Sequence, residues 1–253
     1  MSFLDNLRYK VNNFNLGSNL KYILIAIIVI VVIVLVINYL TKTQIKLAGT
    51  NNASKLMVIP SNKLVNKNNT NNYTYSLWMY VNDWNYRYGQ NKVILERVDN
   101  LGNPTPSVKL GALENNVTVS VACYPDVSNN TTTNPIIKDC VIRNVPIQRW
   151  TNLIVSLYGR TLDIYLDGKL VRTCVLPGVP KVNQKSDVNV TPNGGFSGFT
   201  SNIVYINTAS NPKQAYNIYK KGSGSSVVGS FFNKYKIKLS LLDNSNVKGS
   251  IEI

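Results

Sequence analysis

Apolar and polar positions along the chain fall into two regimes. Residues 22–40 read YILIAIIVIVVIVLVINYL, and from Ile23 to Ile37 no side chain is charged or hydrogen-bonding. At 1.5 Å per residue these 19 residues make a helix of roughly 28 Å, close to the hydrocarbon thickness of a bilayer. The pattern predicts one transmembrane helix, with Tyr22 and Tyr39 at the two interfaces. A buried strand pair would be equally apolar, but strands are short and no turn residue interrupts this block. NYLTKTQIK offers no small-x-small cleavage site, so the anchor is expected to stay attached. Residues 1–21 form a polar, basic leader whose Phe3, Leu4, Leu7 and Val11 suit either an amphipathic helix or a solvated tail. Basic residues flank the span almost evenly, Arg8, Lys10 and Lys21 before it and Lys42, Lys46 and Lys55 after it. Because a long domain translocates regardless of charge, the amino terminus is expected in the cytosol and the bulk across the membrane.

Residues 41–72 are rich in Asn and Lys around one apolar run, LMVIP, and read as a stalk with one strand that ends in the turn-forming NKNNTNN. From Tyr73 the period becomes two. YTYSLWMYV places Tyr75, Leu77, Met79 and Val81 on one face and Trp78 and Tyr80 on the other. Short strand-like runs follow at steady spacing: KVILERV, SVKLGAL, NVTVSVA, IIKDCVI, NLIVSLYG, TLDIYL and KLVRTCVL. Such a series predicts an all-β, two-sheet antiparallel sandwich over residues 73–222. Asp167-Gly168 marks a two-residue hairpin, whose type I′ turn needs positive φ at both positions. One short helix is predicted in NPKQAYNIYKK, with Asn211 as cap, Pro212 in the first turn, Gly222 at the end and Ala215, Ile218 and Tyr219 as the buried stripe. Residues 223–253 read as a linker and a terminal β-hairpin packing on the sandwich, with Lys234, Lys236 and Lys238 in a row on one face.

Composition changes this picture in three ways. The net charge of +15, from 27 Lys and Arg against 12 Asp and Glu, favours a polyanionic neighbour such as lipid phosphate, an acidic glycan, nucleic acid or an acidic protein lattice. Heavy use of Asn, Lys and Ile accounts equally for the excess on compositional grounds. The absence of histidine removes His-based triads, His-ligated zinc and the imidazole switch. Three cysteines are present; either a disulfide between Cys123 and Cys140 closes the polar loop between them, or all three are buried free thiols. Asn-x-Ser/Thr sequons are about as frequent as a chain this rich in Asn, Ser and Thr gives by chance.

Trp150 followed by TNLIVSLYGRTLDIYLDGKLV, then GGFSGFTSNIVYIN and a helix ending IYKKG, with SLWMYV upstream, resembles the concanavalin A-like, laminin G-type jelly roll. The resemblance covers about residues 73–222 and implies two stacked antiparallel sheets. Domains of this kind occur in lectins, laminins and glycosidase accessory modules and, beside a membrane span, in proteins of large DNA viruses. Members that bind calcium gather paired acidic side chains in rim loops; here Asp83, Asp99, Asp126 and Asp187 are scattered, so calcium is a minor expectation and no other cofactor is expected. Related glucanases carry carboxylates on alternate residues of one strand, and none of Glu96, Glu114 and Glu252 has an acidic residue two positions away. No enzymatic activity is therefore expected.

Trp78 and Trp150 are expected in the core. Trp84 lies in the polar loop NDWNYRYG with Tyr86, Arg87 and Tyr88, an aromatic and cationic cluster suited either to stacking on a partner or to folding back over the sandwich. This loop and the row Lys234, Lys236 and Lys238 are the candidate contact residues. The resulting expectation is a non-enzymatic, single-pass membrane protein at a virion inner membrane or membrane–capsid interface, linking bilayer to shell. Its partners are then the lipid bilayer and neighbouring capsid or membrane proteins, with nucleic acid not expected. The alternative is a membrane-anchored lectin-like protein that binds glycans.

Overall fold

The computed structural model describes residues 22–23, 25–33, 36, 44–64, 71–125, 134–224, 238–243 and 246–252. The chain divides into two units at residues 43 and 44. In the first, the described positions between 22 and 36 are helical, and their apolar side chains are exposed, Ile23 at 51% and Ile30 at 60%. No helix among the described residues is long and apolar enough to cross a membrane. The leader and the rest of the expected span lie outside the described residues.

The second unit is built from β1 (Gln44–Ala48), β2 (Asn51–Asn52), β3 (Met57–Ile59), β4 (Tyr73–Asp83), β5 (Lys92–Val98), β6 (Pro104–Leu110), β7 (Val117–Cys123), β8 (Ile136–Ile142), β9 (Trp150–Tyr158), β10 (Thr161–Leu166), β11 (Lys169–Val175), β12 (Val188–Val190), β13 (Ser197–Ile206), α1 (Pro212–Lys220), β14 (Lys238–Asp243) and β15 (Asn246–Glu252). One sheet has the order β1-β13-β4-β9-β10-β11, with β2 also on β13. The other runs β3-β12-β5-β6-β7-β8, and β14 pairs with β15 alone. All pairings are antiparallel. This is the predicted two-sheet sandwich with one short helix.

Alternation decides which side chains fill it. Tyr75, Leu77, Met79 and Val81 of β4 and Leu153, Val155 and Leu157 of β9 enter the main core with Val117, Val119 and Val121 of β7. The opposite face of the first sheet is covered by α1. Ile154, Tyr165, Val204 and Ile206 meet Ala215 and Ile218 there, and Trp78 stacks on Tyr219 at 5.5 Å. That second layer is why nearly all of β4 is buried on both faces. Trp150 departs from expectation. Leu153 and Val155 point inward, so period two turns Trp150 outward, where it is half-buried beside Tyr80 at 5.7 Å.

Local signals set the hairpin and helix. Asp167 and Gly168 take φ of 48° and 75°, as a type I′ turn demands. A Cβ on Gly168 would lie 2.9 Å from the Tyr219 Cβ, so the turn is also the floor on which α1 rests. Asn211 caps α1 by accepting from Gln214 N at 2.9 Å while Gln214 Oε1 accepts from Asn211 N at 2.9 Å, a reciprocal capping box. The helix ends at Lys221, and Gly222 follows with φ 75°.

Two expectations are corrected. Residues 44–64 do not form a stalk with one strand: β1 pairs with β13, β3 pairs with β12, and Ala53, Ile59 and Leu64 are buried in the main core. Runs this short need a partner brought from more than 120 positions away, which no local pattern announces. The disulfide joins Cys140 to Cys174, with Cα atoms 6.1 Å apart, and Cys123 is a buried free thiol. In the β7–β8 register Cys123 faces Ile136 and Cys140 faces Val119. The two cysteines expected to pair thus sit four positions apart along neighbouring strands, about 13 Å, beyond the roughly 7 Å a disulfide spans.

Candidate functional site

The sandwich presents loops at two ends. At one, residues 84–91 connect β4 to β5, and here lie four of the predicted contact residues. Trp84 is folded inward: its ring packs against the main core, its Nε1 donates to Leu113 O at 3.2 Å, and Lys92 Nζ sits 4.5 Å from its centroid. Tyr86 donates from its hydroxyl to Gly194 O at 3.0 Å. Arg87 donates to Gln90 Oε1 at 3.0 Å and to Asn193 O. The loop is therefore stapled to the turn before β13, and Tyr88, 59% exposed, is the ring it leaves to solvent. Lys92 is enclosed beneath this loop, its ammonium without a hydrogen-bond partner among the described residues. Burial, with the Arg87 charge nearby, pushes its pKa down. Lys234 and Lys236 lie outside the described residues; Lys238 opens β14 opposite Glu252.

The opposite end carries an open cavity of about 390 Å³ formed by three segments distant in sequence. The β5–β6 turn supplies Asp99, Asn100 and Leu101, the end of β7 supplies Tyr124, and the strap before β12 supplies Lys181 and Asn183. The strap is laid along β7 by Tyr124 N donating to Val179 O and Lys181 N donating to Ala122 O, both at 2.8 Å. Asp99 is the knot. It accepts from Leu101 N and Asn103 N at 2.9 Å, from Asn103 Nδ2 at 2.9 and 3.0 Å, and from Lys181 Nζ at 2.7 Å. Burial alone would raise its pKa, but the Lys181 ammonium and the Asn103 and Leu101 donors outweigh that and hold the carboxyl well below the usual carboxylate range.

With Asp99 spent on its own loop, other groups face the cavity. Tyr124 is 54% exposed, with Lys181 Nζ 5.6 Å from its centroid, and the Asn100 side chain hydrogen-bonds to no described residue. A flat ring beside amides and an ammonium suits a polyol or peptide ligand with one apolar face and several hydroxyl or carbonyl edges. Nothing in spacing announced this constellation, since positions 99, 124 and 181 meet only in the fold. Of the carboxylates considered for calcium, Asp83 caps Asn85 N, Asp187 accepts from Ser61 N at 2.8 Å, Asp99 is held in its own turn and by Lys181, and Asp126 lies outside the described residues. No three His, Cys, Asp or Glu side chains cluster among the described residues.

Fold and rim loops together define an antiparallel jelly-roll sandwich with loops gathered at its two ends. Residues 51–203 match the family model of the concanavalin A-like lectin/glucanases superfamily, and the chain belongs to that family. No curated protein matches it. Among solved structures it is similar to the binding domain of botulinum neurotoxin DC in complex with rat synaptotagmin II, with a TM-score of 0.51 and 13% identity over 66% of this chain and 40% of that one. It is likewise similar to the receptor binding domain of botulinum neurotoxin C/D mosaic serotype, with a TM-score of 0.50 and 9% identity over 68% and 42%. The chain thus spans about two fifths of the length of these structures, and at such identity the likeness is one of fold.

Proposed function

We propose that this protein is a non-catalytic adaptor that holds a concanavalin A-like recognition domain at a lipid bilayer through residues 22–40, in a virion where it links an internal membrane to the surrounding protein shell. The observation that carries the reading is the run of helical Ile and Val side chains described between positions 23 and 36, each about half exposed. Such a surface is unfavourable in water and matched by hydrocarbon, which also accepts a helix because its backbone is satisfied internally. The setting rests on the resemblance to membrane-linked domains of large DNA viruses. Flotation with liposomes tests the anchor: the full chain should float and resist alkaline carbonate, and a chain lacking residues 23–37 should remain soluble with its β-sheet signal intact. A deletion variant that still floats would overturn the reading.

A second reading, a membrane-anchored lectin-like protein, is favoured by the cavity around Tyr124. Glycan arrays separate the two. Specific sugar binding that Tyr124→Ala abolishes without lowering the melting temperature supports the lectin; no sugar binding, with crosslinks to shell proteins in intact particles, supports the adaptor.

A further inference from the structure

The two sheets end on the same flank in β8 and β11, and the Cys140–Cys174 disulfide ties these edge strands together. Beside it lies a cleft of about 480 Å³ lined by Val141, Ile142, Arg143, Val171 and Arg172. Every other described arginine is committed. Arg87 and Arg97 donate to Asn193 O and Ser186 O, Arg149 pairs with Asp167, and Arg160 donates to Leu176 O and Pro177 O. Arg143 and Arg172 have no hydrogen-bond or ion partner among the described residues, and they line the same cleft. The carboxylates on the adjoining strands are already occupied: Asp139 accepts from Ser120 Oγ and Asp163 from Thr173 Oγ1, each at 2.6 Å.

We propose that this cleft is an oxyanion site that takes a phosphate group, free or as a lipid phosphomonoester, between the guanidinium groups of Arg143 and Arg172. Guanidinium forks match tetrahedral oxyanions with paired N–H donors. Two of them balance a phosphate that carries about −1.5 to −2 at neutral pH, where a single carboxylate would leave one cation uncompensated. The side chains of Val141, Ile142 and Val171 line the rest of the cleft. Preorganisation comes from the disulfide: Cys140 lies three residues before Arg143 and Cys174 two after Arg172, so the covalent tie limits how far the two arginine-bearing segments can separate. The inference stands on the cleft alone and does not depend on the anchor or on the Tyr124 cavity.

The test uses the detergent-solubilised full chain, titrated by calorimetry with inorganic phosphate and separately with dihexanoyl phosphatidic acid. Arg143→Gln with Arg172→Gln should weaken the bound species by about tenfold or more, as expected for losing two charge-assisted contacts. Lys213→Gln with Lys220→Gln, which removes the same charge from α1, should change it less than about twofold, because neither lysine lines the cleft and exposed charges are screened by solvent and salt. Both variants should keep the parental melting temperature, since these side chains are exposed. Binding of both probes supports free phosphate as sufficient, and binding of the lipid probe alone supports a lipid source. Equal weakening by the two double variants, or no binding of either probe to the parent, would overturn the site.

Discussion

Asp99 shows what one side chain does for the rim. Its carboxylate gathers donors from its own turn and from Lys181 across the strap, and its pKa is held well below the usual range. The sign follows from linkage: a carboxyl whose folded pKa is depressed contributes stability that is complete above its unfolded value, near 3.9, and is lost as pH falls through the folded value. Asp99→Asn should therefore lower the melting temperature above about pH 4 and converge on the parent as the solution is acidified. Melting curves from pH 2 to 6 decide it, and a constant offset across that range would show that the charge is immaterial. At this scale the sequence was only partly legible. Trp84 and its neighbours were visible as a loop cluster, but whether the ring pointed outward depended on Leu113, in the loop between β6 and β7, and on Lys92 of β5. Trp150 was visible as a strand residue, yet its face was fixed only by the phase of β9 against a second apolar layer under α1.

Elements whose determinants are local were legible almost to the residue. Lys92–Val98, Ile136–Ile142 and Thr161–Leu166 coincide with the apolar and β-branched runs read from the chain, the Asp167-Gly168 turn adopts the φ values its residue types imply, and α1 carries the cap and stop expected of it. The strand drawn through SVKLGAL shifts to Pro104–Leu110 because Gly111 N turns to donate to Asn116 O at 2.8 Å, closing the bend before β7. Elements whose stability comes from distant partners were not legible. β1, β2, β3 and β12 are two to five residues long, too short for a period to register, and they exist because β13 and β5 offer open backbone donors and acceptors. The disulfide belongs with them: chain spacing favoured the nearer pair, whereas the fold set β8 against β11.

On the scale of the whole molecule, the consequence is where the folding unit begins. Reading periodicity alone starts the sandwich at residue 73, but β1 completes one sheet against β13 and β3 completes the other against β12. Ala53, Ile59 and Leu64 close the main core at 0%, 2% and 5% exposure. Emptying sites of the Ile and Leu kind costs about 2 to 5 kcal/mol each, against a total stability of roughly 5 to 15 kcal/mol for a domain. Removing β1 also bares the outer backbone of β13, a long strand that would then invite pairing with other chains. A chain comprising residues 44–224 should accordingly fold as a cooperative unit, whereas one comprising 73–224 should aggregate or melt without a transition. Calorimetry and light scattering on the two truncations measure this directly. A sharp, reversible transition in the shorter chain would restore residues 44–64 to the role of a stalk.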